Sequence, residues 1–119
     1  MGKHSLYRSF QFAFKGLKHI LKERNFIIHL IVAAMAVLLG FIFKISYLEW
    51  ISICVCSAMV LSLELINTSI EKTIDLLHPA FDERAGEIKD IAAAAVLLSA
   101  IASVVVGSII FIPKIIDLI

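Results

Sequence analysis

The sequence predicts an all-α integral membrane protein: three transmembrane helices preceded by an N-terminal amphipathic helix on the membrane surface. Three observations predict it. Hydrophobic residues make up 61% of the 119 residues, more than a water-facing surface tolerates. Three apolar segments, 26–43, 48–77 and 91–112, reach the length of about 17–25 residues that a bilayer requires. Segment 4–22 repeats its apolar residues with the 3.6-residue period of a helix and carries its cations on the other side. A chain this short forms one membrane domain, 1–119.

Leu6, Phe10, Phe14, Leu17 and Leu21 share one side of the first element, and Arg8, Lys15, Lys18 and Lys22 the other. That is the pattern of a helix lying on an anionic leaflet. Phe12 breaks it, projecting from the flank of the basic face beside Arg8 and Lys15. A ring there either dips into lipid headgroups, which periodicity alone favours, or stacks on a base whose phosphates meet the cations.

The first span, Phe26 to Phe43, is interrupted only by His29, which must point inward or sit near a surface. The second is uncharged from Trp50 to Leu63 and then runs through Glu64, Asn67, Glu71 and Asp75 to Leu77. Segment 78–87, with Pro79 and Gly86 among charged residues, reads as a loop that ends where Lys89 and Asp90 open the third span. That span is free of charge from Ile91 to Ile112. Its Ala92 to Ala95 run and its Ser99, Ser103 and Gly107, four apart on one face, read as a close-packing surface between subunits.

Nine of the eleven Lys and Arg residues lie in 1–25 or at Lys72, Arg84 and Lys89, leaving Lys44 and Lys114 for the other side. The positive-inside bias puts the N-terminus in the cytoplasm and the C-terminus outside, in a multi-pass arrangement. Residues 1–25 lack the compact apolar core of a cleaved signal peptide, so the N-terminus is expected to stay. A net charge of +1 gives no footprint for nucleic acid.

At roughly 100° per residue, Glu64, Asn67, Glu71 and Asp75 fall within about 80° of one another, one polar stripe on a membrane-length helix. Charge at bilayer depth is costly, which marks such a stripe as functional; the plainer alternative is a stripe that only joins helices. A helix entering near Leu48 reaches Glu64 after about 24 Å, close to the inner edge of a hydrocarbon layer about 30 Å thick. The stripe therefore crosses from lipid to cytosol, where a lipid headgroup meets a water-soluble reagent. Glu71 and Asp75 with Lys89 and Asp90 suit a site for Mg²⁺, a hard cation satisfied by one or two carboxylates, phosphates and water.

No glycine-rich phosphate loop, protein-kinase motif set or dinucleotide fingerprint is present, so a nucleotide site here is unconventional. Cys54 and Cys56, two apart on different faces of an apolar helix, read as inert packing residues. His4, His19, His29 and His78 have no ligand spacing.

Three motifs, in this order and membrane context, resemble the small prokaryotic diacylglycerol kinase family over nearly the whole chain. They are Glu23-Arg24-Asn25-Phe26, the stretch Glu64 to Glu71 with Asn67, Thr68 and then Asp75, and Lys89-Asp90-Ile91-Ala92-Ala93-Ala94-Ala95-Val96. The resemblance implies ATP- and Mg²⁺-dependent phosphorylation of a membrane lipid alcohol by a homotrimer with sites between neighbouring subunits. It implies that Glu64 takes the proton from the lipid hydroxyl and that Glu23 and Glu71 hold Mg²⁺ and contact the nucleotide. Lys89 and Asp90 match phosphate-proximal residues, Asn67 and Asp75 further polar residues of the site. Phe12 falls where the family sets an aromatic against the nucleotide, which reverses the preference from periodicity, and Arg8 matches a nucleotide contact across a gap. Ala80, Phe81 and Asp82 align with a nucleotide-contacting stretch whose side chains differ in enterobacterial members, which leaves backbone contacts. Glu-Arg-Asn-Phe followed by His29 resembles the branch that phosphorylates undecaprenol to undecaprenyl phosphate; the alternative acceptor is diacylglycerol, giving phosphatidic acid. Two readings from other classes compete. A small ion-coupled transporter subunit would centre its acid near the midplane, and a structural adaptor leaves the stripe unexplained.

Overall fold

A computed structural model describes residues 5–119. Its four helices are α1 (Leu6–Ile20), α2 (Arg24–Phe43), α3 (Tyr47–Leu77) and α4 (Glu83–Leu118), and the described residues contain no strand. The last three are each long and apolar enough to cross a membrane. His4, the first residue of the expected 4–22 helix, lies outside the described residues.

Three of the four helices, α1, α3 and α4, start on a side-chain cap. Ser5 accepts the Arg8 N–H and so caps α1. At Ser46 a full capping box opens α3: the Ser46 hydroxyl accepts the Glu49 N–H, and the Glu49 carboxylate accepts the Ser46 N–H. Such a cap stabilises by about 1 kcal/mol. The α2–α3 turn is tight. Lys44 closes α2 in the left-handed region at φ 52°, a conformation that costs most L-residues about 1–2 kcal/mol. Gly40 lets the turn close, because a Cβ there would lie 2.6 Å from the Trp50 ring.

The fourth helix departs from the sequence reading. It begins at Glu83, not at 91, because Asp82 caps it by accepting the Arg84 and Ala85 N–H groups. Lys89 and Asp90 therefore lie almost two turns inside the helix, and only His78 to Asp82 remain as connection. At ~46 Å and ~54 Å, α3 and α4 are both longer than a hydrocarbon layer of about 30 Å and must extend beyond it.

Packing is densest between α3 and α4, with α2 laid mainly on α3. An apolar cluster, Ile45, Ile53, Ile110 and Phe111 backed by Trp50 and Phe43, lies at the end of the bundle away from the stripe of Glu64 to Asp75. There Lys114 donates to Glu49 at 2.9 Å and joins α4 to the start of α3. Among the described residues only nine apolar side chains are buried, while large apolar residues such as Leu38, Phe41, Leu98 and Ile109 are exposed. In water that distribution would be prohibitive. In a bilayer, lipid covers these faces at little cost. The Ser99, Ser103 and Gly107 face is a second departure: Ser99 is buried against the chain's own helices, and Ser103 and Gly107 line a cavity shared with α2 and α3. That stripe turns inward, toward neighbours in the same chain.

Candidate active site

Glu64 is 3% exposed, about 25 Å along α3 from Tyr47. A carboxylate so enclosed needs compensation, and α2 supplies it: His29 Nε2 lies 3.8 Å from Glu64 Oε2. The distance is too long for a direct hydrogen bond. It is short enough for one oxygen to lie between the two and reach both. His29 points inward, as an ionisable residue in a span must.

Glu23 and Glu71 both act electrostatically on Glu64, so three carboxylates share one region at the mouth of the bundle. Glu71 arrives there from two helical turns further along α3, and Glu23 as the residue that precedes α2. Asn67 joins them by donating Nδ2–H to Glu71 Oε1 at 3.1 Å. Its own Oδ1 is buried and without a hydrogen-bond partner, which costs about 1–3 kcal/mol. An orphaned hard oxygen among carboxylates fits a cation or a bound donor. Among the described residues no three His, Cys, Asp or Glu side chains form a ready-made metal cage. The donor set suits Mg²⁺, which takes one or two carboxylates and completes its shell from phosphate and water.

Asp75 and Lys89 form an ion pair that ties the C-terminal end of α3 to α4. Asp90 is exposed and forms no ion pair with the cluster. Arg8 and Phe12 stay on α1, where the Lys15 ammonium stands 5.8 Å from the Phe12 ring centroid; neither residue is brought into the carboxylate group. The residue that sequence reasoning missed is Lys72, whose Nζ lies 3.8 Å from Glu23 Oε1. It follows Glu71 directly and so stands about 100° off the stripe.

Two cavities open beside this region. One, of about 810 Å³, lies between α1 and α3, with Gly16 and Ile20 on one wall and Thr68, Lys72 and Thr73 on the other. The second, of about 480 Å³, is an apolar slot among α2, α3 and α4 that has His29 on its lining and runs to Gly107 and Phe111.

A membrane-embedded base candidate, neighbouring carboxylates for a cation and a lysine on the adjoining helix are the equipment of phosphoryl transfer at a lipid boundary. The family model for prokaryotic diacylglycerol kinase matches residues 11–111, and the chain belongs to that family. It is accordingly a lipid kinase of the membrane, with ATP as its phosphoryl donor. It is 38% identical over 109 residues to an undecaprenol kinase of Bacillus subtilis, covering 91% of this chain and 89% of that one. It is 33% identical over 116 residues to a diacylglycerol kinase of Synechocystis, covering 96% of this chain and 66% of the relative. A Sinorhizobium diacylglycerol kinase is 24% identical over 102 residues, covering 86% of this chain and 74% of the relative.

Proposed function

We propose that this kinase phosphorylates undecaprenol to undecaprenyl phosphate, using Mg²⁺ with ATP, as a homotrimer in the bacterial inner membrane with its N-terminus in the cytoplasm. The observation that carries the reading is the seat of Glu64: a carboxylate 3% exposed within a membrane span, facing His29 across 3.8 Å. Glu64 takes the proton of the lipid hydroxyl while that oxygen bonds to the γ-phosphorus. The bond from the γ-phosphorus to the bridging oxygen breaks, and ADP leaves with the electron pair. Glu23 and Glu71 hold Mg²⁺ at the nucleotide phosphates, and Asn67 fixes the Glu71 carboxylate. Bound there, Mg²⁺ neutralises charge on the transferring group. Lys89, oriented by Asp75, and Asp90 serve the phosphate side; Arg8 and Phe12 on α1 cover the nucleotide.

Undecaprenol is favoured by the 38% identity to the Bacillus enzyme and by the lining of the slot. A polyprenol presents one hydroxyl on a hydrocarbon chain, whereas the two esters of diacylglycerol want polar partners. The slot offers chiefly His29, Ser57 and Ser103. Diacylglycerol remains the second reading on the Synechocystis relative. The test is a side-by-side assay of the purified protein with both alcohols in the same lipid host. A higher specificity constant for undecaprenol supports the proposal, and a ratio favouring diacylglycerol overturns it.

A further inference from the structure

The slot among α2, α3 and α4 has the shape of a hydrocarbon channel and one polar end. His29 lines it and at the same time faces Glu64 at 3.8 Å, so the slot's polar end lies beside Glu64. From His29 the α2 wall passes Val32, Ala36 and Leu39, a run of about 15 Å. The α4 wall runs from Ala100 past Gly107 to Phe111, about as far. Nothing along these walls is charged beyond the mouth.

We infer that this slot holds the proximal part of the acceptor's hydrocarbon tail, with His29 at its mouth setting the hydroxyl against Glu64, and that Gly107 determines how long a tail the slot admits. The inference rests on the proposed acceptor reading and adds where in the chain the tail lies. Two features support a tail over other occupants. The polar end coincides with the group that must meet the hydroxyl, as an amphiphile requires. The walls carry small residues, Ala33 and Ala36 on α2 and Ala100 and Gly107 on α4, which leave room for a flexible chain without a matching side-chain pattern for another helix. Gly107 sits about 10 Å beyond Ala100, and a Cβ built on it meets nothing within 4 Å. A large side chain there grows into the slot without displacing backbone.

The experiment is a chain-length profile of Gly107→Phe against the full-length wild-type enzyme, with geraniol, farnesol and undecaprenol as acceptors. Val105→Phe, an exposed neighbour on the same helix that does not line the slot, is the control. For Gly107→Phe, kcat/KM is expected to stay within about twofold for geraniol and to fall about tenfold or more for undecaprenol, the scale on which a blocked apolar pocket discriminates. Val105→Phe is expected to keep the wild-type profile. An unchanged profile for Gly107→Phe, a fall equal at every length, or the same change in Val105→Phe overturns the inference. So does a loss of oligomer in Gly107→Phe, which would mean that another subunit's helix fills the slot. If wild type ignores all three polyprenols, the acceptor reading is what fails. Diacylglycerols of graded acyl length then read the slot in the same way, with selective loss of the longer ones expected and uniform loss overturning it.

Discussion

Replacing Glu64 by Gln separates the chemical role of the carboxylate from its structural one, and the two effects have opposite signs. Gln keeps the volume and one oxygen acceptor, so no cavity forms at a position 3% exposed. On the proposed mechanism it removes the basic oxygen that takes the hydroxyl proton. Loss of a positioned base costs about 10²–10⁴ in rate, or about 3–5 kcal/mol of barrier. Stability should move the other way. Glu64 is enclosed within the bundle, and burying a neutral amide costs less than burying a charge. The expected result is turnover down at least about 10²-fold, with ATP affinity and oligomer size unchanged and thermal stability equal or higher. Turnover is read by transfer of labelled γ-phosphate to lipid, and stability by thermal unfolding in the same detergent. Near-normal turnover in a correctly assembled variant refutes the assignment of the base. A fall in stability in proportion to the loss of turnover makes Glu64 a structural residue.

Four further substitutions test the surroundings. Glu71→Gln and Glu23→Gln should each raise the Mg²⁺ concentration for half-maximal activity, since each removes a hard ligand from a site with few; unchanged half-saturation in both moves the metal elsewhere. Asp75→Asn should raise the KM for ATP with less than about 1 kcal/mol lost in stability, because its pair with Lys89 is largely exposed and such pairs stabilise little; an unaltered KM removes Lys89 from the phosphate side. Gly40→Ala should destabilise by about 1–3 kcal/mol through overpacking against Trp50, seen as a lower unfolding temperature; no change means that the Trp50 ring moves aside freely.

The spans and the acidic stripe were legible because each depends on periodicity along one helix. Apolar length marks a span, and a 100° step per residue puts Glu64, Asn67, Glu71 and Asp75 on one face. What crosses between helices was not legible. The approach of His29 to Glu64, of Lys72 to Glu23 and of Lys89 to Asp75 depends on the rotation of α2 and α4 about their own axes, which no pattern within one segment fixes. The start of α4 was hidden for a local reason. Pro79 and Gly86 punctuate the sequence like a loop, yet Asp82 captures two backbone N–H groups and begins the helix four residues before Gly86. The small-residue face of α4 misled for a related reason: small side chains permit close approach without saying whether the neighbour belongs to the same chain.

The polarity of α3 is graded, and the grading explains why the site lies where it does. Glu64 and Asn67 are buried, Glu71 is half-buried and Asp75 is exposed, over a rise of about 16 Å. A phosphoryl donor that carries several negative charges cannot enter hydrocarbon, and a polyprenyl chain cannot leave it. The two can react only at a depth where the hydroxyl is still held by lipid-side walls while the phosphates remain in water. A helix that is uncharged from Trp50 to Leu63 and acidic from Glu64 to Asp75 supplies that depth from a single element. It needs α2 to bring His29 to the lipid side and α4 to bring Lys89 to the aqueous side. On the proposed mechanism the catalytic carboxylate is therefore the innermost acid of the series and the metal ligands lie outward of it, because the proton comes from the lipid and the charge to be neutralised comes from the nucleotide.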